Sequence, residues 1–239
     1  MTTETEKMKF LLKAMYLSTA TLEKAINHQR CHYEDNGYVG PKENGSYPFI
    51  PMNTQRTVYD FIMLKNVLRD VLPENASNTI RDVRNLWDQS GANWNKKFLD
   101  AGCGVGNIML LAHIAGFCHH IHGIEYFDDT YQKAIAWLGM KGDNNDGIFK
   151  IFKDDILKFK DYGKYDVIYY YRPFEDIKKQ DKLEKLIENN MKVGAVLIPR
   201  MKQRERQIHK DKRFINIFEK EKNPLTDSTI EPIYIKVKE

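Results

Sequence analysis

From Lys97 onward the apolar positions fall in short runs separated by amphipathic stretches, and the two kinds of segment alternate. Lys97 to Ala101, Ile121 to Glu125, Ile148 to Phe152, Asp166 to Tyr171 and Ala195 to Pro199 are too short for helices and read as strands buried on both faces. Between them, Asn107 to Ala115, Asp128 to Leu138 and Asp176 to Asn189 read as helices. This alternation predicts a parallel, doubly wound sheet. Two further runs near the end, Phe214 to Phe218 and Pro232 to Val237, predict antiparallel edge strands.

The first ninety residues follow a different pattern. Phe10, Leu11, Ala14, Leu17 and Ala20 or Thr21 recur at helical steps, which predicts an amphipathic helix. Residues 30–53 concentrate Gly, Pro, Asn and Asp and predict a loop, yet Tyr33, Tyr38, Tyr47 and Phe49 lie in it. These rings either pin the loop to the domain or form a wall over a substrate pocket. Helices are expected from Asn53 or Thr54 to about Val71, stopped by Pro73, and from about Ser77 to Gln89. The chain therefore divides into a helical N-terminal extension (1–90), with the aromatic-rich loop inside it, and an α/β domain (91–239).

The first strand of that domain ends in "LDAGCGVGN", residues 99–107. In a doubly wound sheet, ligands bind beyond the carboxyl ends of the strands at such a strand-turn-helix crossing. Gly102, Gly104 and Gly106 let backbone amides approach a ligand, and the following helix offers its positive end to an anionic group. A dinucleotide site requires GxGxxG, but position 107 is Asn, so the spacing is GxGxG. Asp100 beside the turn disfavours two phosphates and favours an ammonium group. A ligand with an amino-acid end satisfies both charges.

These residues resemble the class I S-adenosylmethionine-dependent methyltransferases, whose first motif is a hydrophobic strand followed by D/E-x-G-x-G-x-G. The resemblance runs from about residue 96 to about residue 200, in the family's order. It implies a doubly wound, mostly parallel, seven-stranded Rossmann-like methyltransferase sheet with an N-terminal helical extension, and S-adenosylmethionine as cofactor. By the same resemblance, Asp100, Gly102, Gly104 and Gly106 form the cofactor floor. Glu125 in "HGIEYF" would hold the ribose hydroxyls, with Tyr126 or Phe127 packing on adenine. In "FKDDILKF", Asp155 aligns with the residue near the adenine amino group and Ile156 with the apolar residue after it. Asp154 stands where the family commonly has Gly, so the choice between Asp154 and Asp155 stays open. "KYDVIYYYRPF" resembles the fourth motif and "MKVGAVLIPR" the turn into the fifth strand, with Gly194 at that turn.

Methyl transfer is an in-line displacement, so the acceptor should lie above the end of the fourth strand. There the sequence reads Tyr169, Tyr170, Tyr171, Arg172, Pro173, Phe174. Family members that methylate base amines or a glutamine amide often carry [N/D]-P-P-[Y/F]. Tyr171 and Arg172 replace the first two positions, which argues for a protein side chain or small molecule over nucleic acid as acceptor. Alternation along a strand sends Tyr169 and Tyr171 to one face and Tyr170 to the other. Tyr171, to orient the acceptor or carry a proton, and Arg172, to pair with an acidic group, are the candidate acceptor contacts. The "GCGVGN" turn is also similar to class I protein lysine methyltransferases.

Composition narrows the setting. No run of apolar residues is long enough to cross a membrane and no signal-peptide pattern opens the sequence, so a cytoplasmic protein is expected. Cys31, Cys103 and Cys118 are far apart and form no CxxC pair, and Cys103 is read as a small filler within the turn. His113, His119, His120 and His122 cluster in sequence but lack a distant ligand at metal-site spacing, so no metal is expected. The formal charge of +4 is too balanced to require nucleic acid. Seven of the basic residues fall between Arg200 and Arg213, either as a solvated face or as a contact for an acidic partner. A rival reading is a non-catalytic module of the same fold that binds such a partner.

Overall fold

In the computed structural model the five internal runs form parallel strands: β1 (Lys97–Ala101), β2 (His120–Glu125), β3 (Phe149–Lys153), β4 (Val167–Tyr171) and β5 (Val196–Arg200). The structure describes residues 27–28, 45–47, 54–69, 77–92, 95–116, 118–140, 147–200, 207–218 and 232–239. The helix expected around residues 10–21 and most of loop 30–53 lie outside them. Every residue of β5 is buried, and β1 and β4 each have one position that is only half-buried. Burial on both faces is why these strands read as apolar runs rather than as an alternation.

Among the described residues, five helices with defined bounds flank the sheet: α1 (Thr54–Leu68), α2 (Asn78–Gln89), α3 (Asn107–Ala115), α4 (Asp128–Trp137) and α5 (Ile177–Asn190). Their starts have local causes. The Ser77 hydroxyl accepts the Ile80 amide at the head of α2, and Asp176 accepts the amides of Lys178 and Lys179 at the head of α5. Helix α3 begins after Gly106 and stops at Gly116, both left-handed.

The sheet order is β3-β2-β1-β4-β5-β7-β6, where β6 is Phe214–Asn216 and β7 is Tyr234–Lys236. One core lies between the sheet and helices α1 to α4, with Phe61, Trp87, Met109 and Ala134 packed on Phe98, Ile121 and Tyr169. The other lies under α5, with Leu183 and Ile187 packed with Leu99, Ile168 and Tyr170. Tyr169 and Tyr170 thus point to opposite faces, as alternation requires, and both are fully buried. Tyr171 packs on the Tyr169 side and is half-buried.

The last two strands pair antiparallel at one edge of the sheet, as expected, but in the reverse of their chain order. Only β7 is reversed relative to the rest, and it is inserted between β5 and β6. All three of its residues are buried. Strand order in space follows from which open edge each run can bury against, which order along the chain does not specify.

The strand order reverses between β1 and β4, because β2 and β3 lie on one side of β1 and the later strands on the other. This is the switch point at which a doubly wound sheet opens a crevice beyond its strand ends.

Candidate functional site

The turn after β1 is fastened to the end of β2. The amides of Gly102 and Cys103 both donate to the Ile124 carbonyl, at 3.0 and 2.9 Å, and Gly106 donates to the Cys103 carbonyl at 3.0 Å. Gly102, Gly104 and Gly106 all have positive φ (89°, 54° and 84°), a conformation that a side chain would strain. A side chain on Gly102 would also come within 3.4 Å of Pro173, so the turn and the loop after β4 approach closely across the crevice.

Two carboxylates lie beneath this turn. Glu125 is 5% exposed; its Oε2 accepts the Gly104 amide at 2.9 Å and its Oε1 accepts the Phe127 amide at 2.7 Å. Burial raises its pKa, opposed by these amides and by Lys153. Asp100 is 2% exposed, and its Oδ2 has no hydrogen-bond partner. Burial first, and then the charge of Glu125, push its pKa well above the usual carboxylate range. A buried acceptor without a donor costs on the order of 1–3 kcal/mol. An ammonium group brought against the turn would supply both the missing donor and the missing positive charge, so the site fits the amino-acid end of S-adenosylmethionine.

Cys103 is buried, and its Sγ lies 2.6 Å from the position a Cβ on Gly123 would take. Burial, Asp100 and Glu125 all raise its thiol pKa, which keeps it protonated and inert. It fills space between the turn and β2.

Past β2, Tyr126 is 54% exposed and stands edge-on to Phe127 with ring centroids 5.4 Å apart. Its carbonyl accepts a hydrogen bond from Lys153 Nζ. Past β3, the half-buried Asp155 turns its Oδ1 back to the Leu157 amide at 2.9 Å, whereas Asp154 is exposed and accepts the Asp155 amide. Asp155 also lies 3.8 Å from Lys158. Ile156 is buried in the core with Ala101 and Ile124. The fold brings Asp100, the three glycines, Glu125 and Tyr126 to adjoining strand ends, with the Asp154–Ile156 turn next to them: the Asp154 amide donates to the Glu125 carbonyl.

The loop after β4 carries Tyr171 and Arg172. Arg172 has φ 37°, and it is the one non-glycine among the described residues with a positive φ. Residues 45–47 of the aromatic-rich loop pair with this segment: Tyr47 donates to the Pro173 carbonyl at 3.1 Å, Glu175 donates to the Gly45 carbonyl at 2.9 Å, and Ser46 bridges Phe174. The Arg172 guanidinium lies 5.3 Å from the Tyr47 ring centroid.

Some neighbours of the site carry no sequence signal. His28 stacks on Trp137 with ring centroids 4.0 Å apart, and a hydrogen bond joins it to the Val105 backbone within the turn. Burial lowers its pKa, opposed by that bond and aided by Lys133. These contacts link parts of the chain far apart in sequence, and no local spacing reports them.

Three of the clustered histidines make contacts within the fold. His122 Nδ1 lies 2.9 Å from the Tyr165 hydroxyl, His113 packs edge-on to Phe149, and His120 meets the Gly147 carbonyl. Among the described residues no cluster of three or more His, Cys, Asp or Glu could hold a metal ion, and no helix is long and apolar enough to cross a membrane.

Two arginines of the basic run are paired within the fold. Arg200 is 4% exposed and pairs with buried Asp60 of α1 at 2.7 Å, and Arg213 pairs with Asp211 at 2.7 Å. Residues 201–206 lie outside the described residues.

Solved structures with a similar fold are methyltransferases. A protein from Pyrococcus horikoshii described as a candidate RNA methyltransferase matches 85% of this chain and 94% of its own at 15% identity, with a TM-score of 0.51. The fold is that of the class I S-adenosylmethionine-dependent methyltransferases. An S-adenosylmethionine-dependent methyltransferase from Clostridium acetobutylicum is 19% identical over 60% of this chain and 49% of its own, with a TM-score of 0.37. A geranyl diphosphate C-methyltransferase from Streptomyces coelicolor is 18% identical over 50% and 44%, with a TM-score of 0.36. The match therefore takes in about half the length of each of these two proteins. No family model matches the chain, and no curated protein does.

Proposed function

We propose that the chain is an S-adenosylmethionine-dependent methyltransferase whose acceptor is a small molecule or a protein side chain. The observation that carries this reading is the buried Asp100 carboxylate, which lacks a hydrogen-bond donor and faces a glycine turn at the sheet's switch point. Bound there, the cofactor supplies an electrophilic methyl group on a sulfonium. Asp100 meets the ammonium group of its amino-acid end. Glu125 already accepts two amides and uses its remaining lone pairs for the ribose hydroxyls. Tyr126, exposed beside Glu125, would cover the adenine ring, and Asp155 or Asp154 would meet the adenine amino group, with Ile156 as the apolar residue beside it.

Tyr171 and Arg172 contact the acceptor. Tyr171 orients the reacting atom with its hydroxyl and, where the acceptor must lose a proton, relays it by passing the phenolic proton to solvent. The approach of Pro173 to Gly102 narrows the crevice and excludes water, which strengthens these interactions. The N-terminal extension, through Tyr47, supplies one wall of the acceptor site.

Calorimetric titration with S-adenosylmethionine and S-adenosylhomocysteine, with NAD as control, tests the cofactor. Binding of the first two without NAD is the expected result; binding of neither removes the reading. Tyr171→Phe should then slow methyl transfer while leaving S-adenosylhomocysteine affinity unchanged, and an equal rate would take Tyr171 out of the mechanism.

A further inference from the structure

Arg172 differs from four other arginines among the described residues. Arg69 and Arg84 donate to backbone carbonyls, and Arg200 and Arg213 pair with carboxylates. Arg172 meets neither a carboxylate nor a carbonyl among the described residues; its one contact is the face of Tyr47. It is half-buried and holds a left-handed backbone that glycine would adopt without strain. A non-glycine residue kept in that conformation is over-determined by its surroundings, and such residues gather at binding and catalytic sites. Here the surroundings are visible: the 45–47 segment pairs on both sides of Phe174 and sets Tyr47 against the guanidinium. Cation–π contact occupies the flat face of a guanidinium and leaves the N–H groups along its edge to donate.

The electrostatics across the crevice separate two kinds of ligand group. Asp100 and Glu125 line the floor under the glycine turn with carboxyl groups, which suit an ammonium group and offer an oxyanion no cation. The loop after β4 presents a guanidinium with no carboxylate partner among the described residues, next to Pro173, which a side chain on Gly102 would approach to 3.4 Å. We propose that Arg172 is the docking point for an oxyanion, a carboxylate or a phosphate, carried by the methyl acceptor. The inference rests on the methyltransferase reading for the word acceptor, but the oxyanion site itself does not. A planar fork of N–H donors matches two oxygens of either group, and Tyr47 fixes the plane in which the fork lies.

The test uses the whole chain saturated with S-adenosylhomocysteine and titrated separately with inorganic phosphate and with acetate, read by calorimetry or chemical shift. At least one anion should bind, and the stronger of the two identifies the group. Arg172→Gln should weaken that binding by about tenfold or more, as expected for loss of a charge-assisted pair, with S-adenosylhomocysteine affinity unchanged. Arg172→Gly should raise Tm by about 2–4 °C by relieving the left-handed residue and still lose the anion, a combination that a purely structural arginine would not give. No binding of either anion to the wild type, or equal binding by Arg172→Gln, overturns the proposal. A loss of S-adenosylhomocysteine affinity in Arg172→Gln also overturns it, because the guanidinium would then belong to the cofactor. If the wild type does not bind S-adenosylhomocysteine, the methyltransferase reading fails by itself. Anion titrations on the unliganded protein then still decide whether Arg172 holds an oxyanion.

Discussion

Glu125, the last residue of β2, accepts the amide of Gly104 in the turn after β1 at 2.9 Å. The carboxylate that would hold the ribose is therefore also the brace of the turn that would hold the amino-acid end. Glu125→Ala should lower S-adenosylhomocysteine affinity by about tenfold or more and also cost about 1–3 kcal/mol of stability, since the Gly104 and Phe127 amides lose their acceptor. Glu125→Gln should spare most of that stability, because its carbonyl oxygen still accepts one amide. Calorimetry and thermal melts on both variants check this; full affinity in Glu125→Ala would remove the residue from the cofactor site.

Asp100 should make binding of the proposed cofactor release protons. Its pKa is raised in the unliganded protein by burial and by Glu125, and an ammonium partner favours the ionised form, so binding lowers it. Affinity should then rise with pH up to the raised pKa and flatten above it. Titrations in buffers of different ionisation enthalpy count the protons released, and Asp100→Asn should bind weakly with no such release.

Gly123 is the tightest glycine of the site. A Cβ there would lie 2.6 Å from both Cys103 Sγ and Met109 Sδ. Gly123→Ala should cost about 1–3 kcal/mol by overpacking and, by displacing the turn, weaken S-adenosylhomocysteine binding. Cys103→Ala should leave that binding unchanged; loss of transfer in this variant would give the thiol a chemical role.

His122 sets part of the acid limit of the fold. Burial, aided by Lys150, Lys97 and His120, lowers its pKa to about 4 from a usual 6.5. As pH falls below about 6.5 the unfolded chain takes up a proton that the folded chain refuses, so stability is complete above that value. Between pH 6.5 and about 4 the loss amounts to roughly 2–3 kcal/mol. Denaturant midpoints of the wild type and His122→Gln should converge as the pH is lowered from 7 to 4.5.

Most of the sheet was legible because strands buried on both faces leave uninterrupted apolar runs, and Lys97–Ala101 and Asn107–Ala115 form over the spans their patterns predict. The glycine turn was legible because only one residue type tolerates three positive φ values so close together. What the pattern could not carry was distance. Arg200 reads as the start of a basic run, yet it closes on Asp60, 140 residues earlier in the chain. Tyr47 reads as one ring among four in a loop, yet it meets Arg172. Both contacts are set by the topology that brings α1 and the loop before it to the ends of β4 and β5, and no local period encodes it.

The insertion of β7 between β5 and β6 has a consequence for biosynthesis. Residues 196–200 and 214–216 leave the ribosome before Tyr234–Lys236, so β5 waits with an open hydrogen-bonding edge for the segment that will cover it. Gly194 and Ala195 likewise gain their bonds to Lys236 only then. A nascent chain stalled short of residue 234 would expose a flat, apolar strand edge of the kind that recruits other chains. Emergence of this short segment is therefore the moment at which the β5 edge is covered.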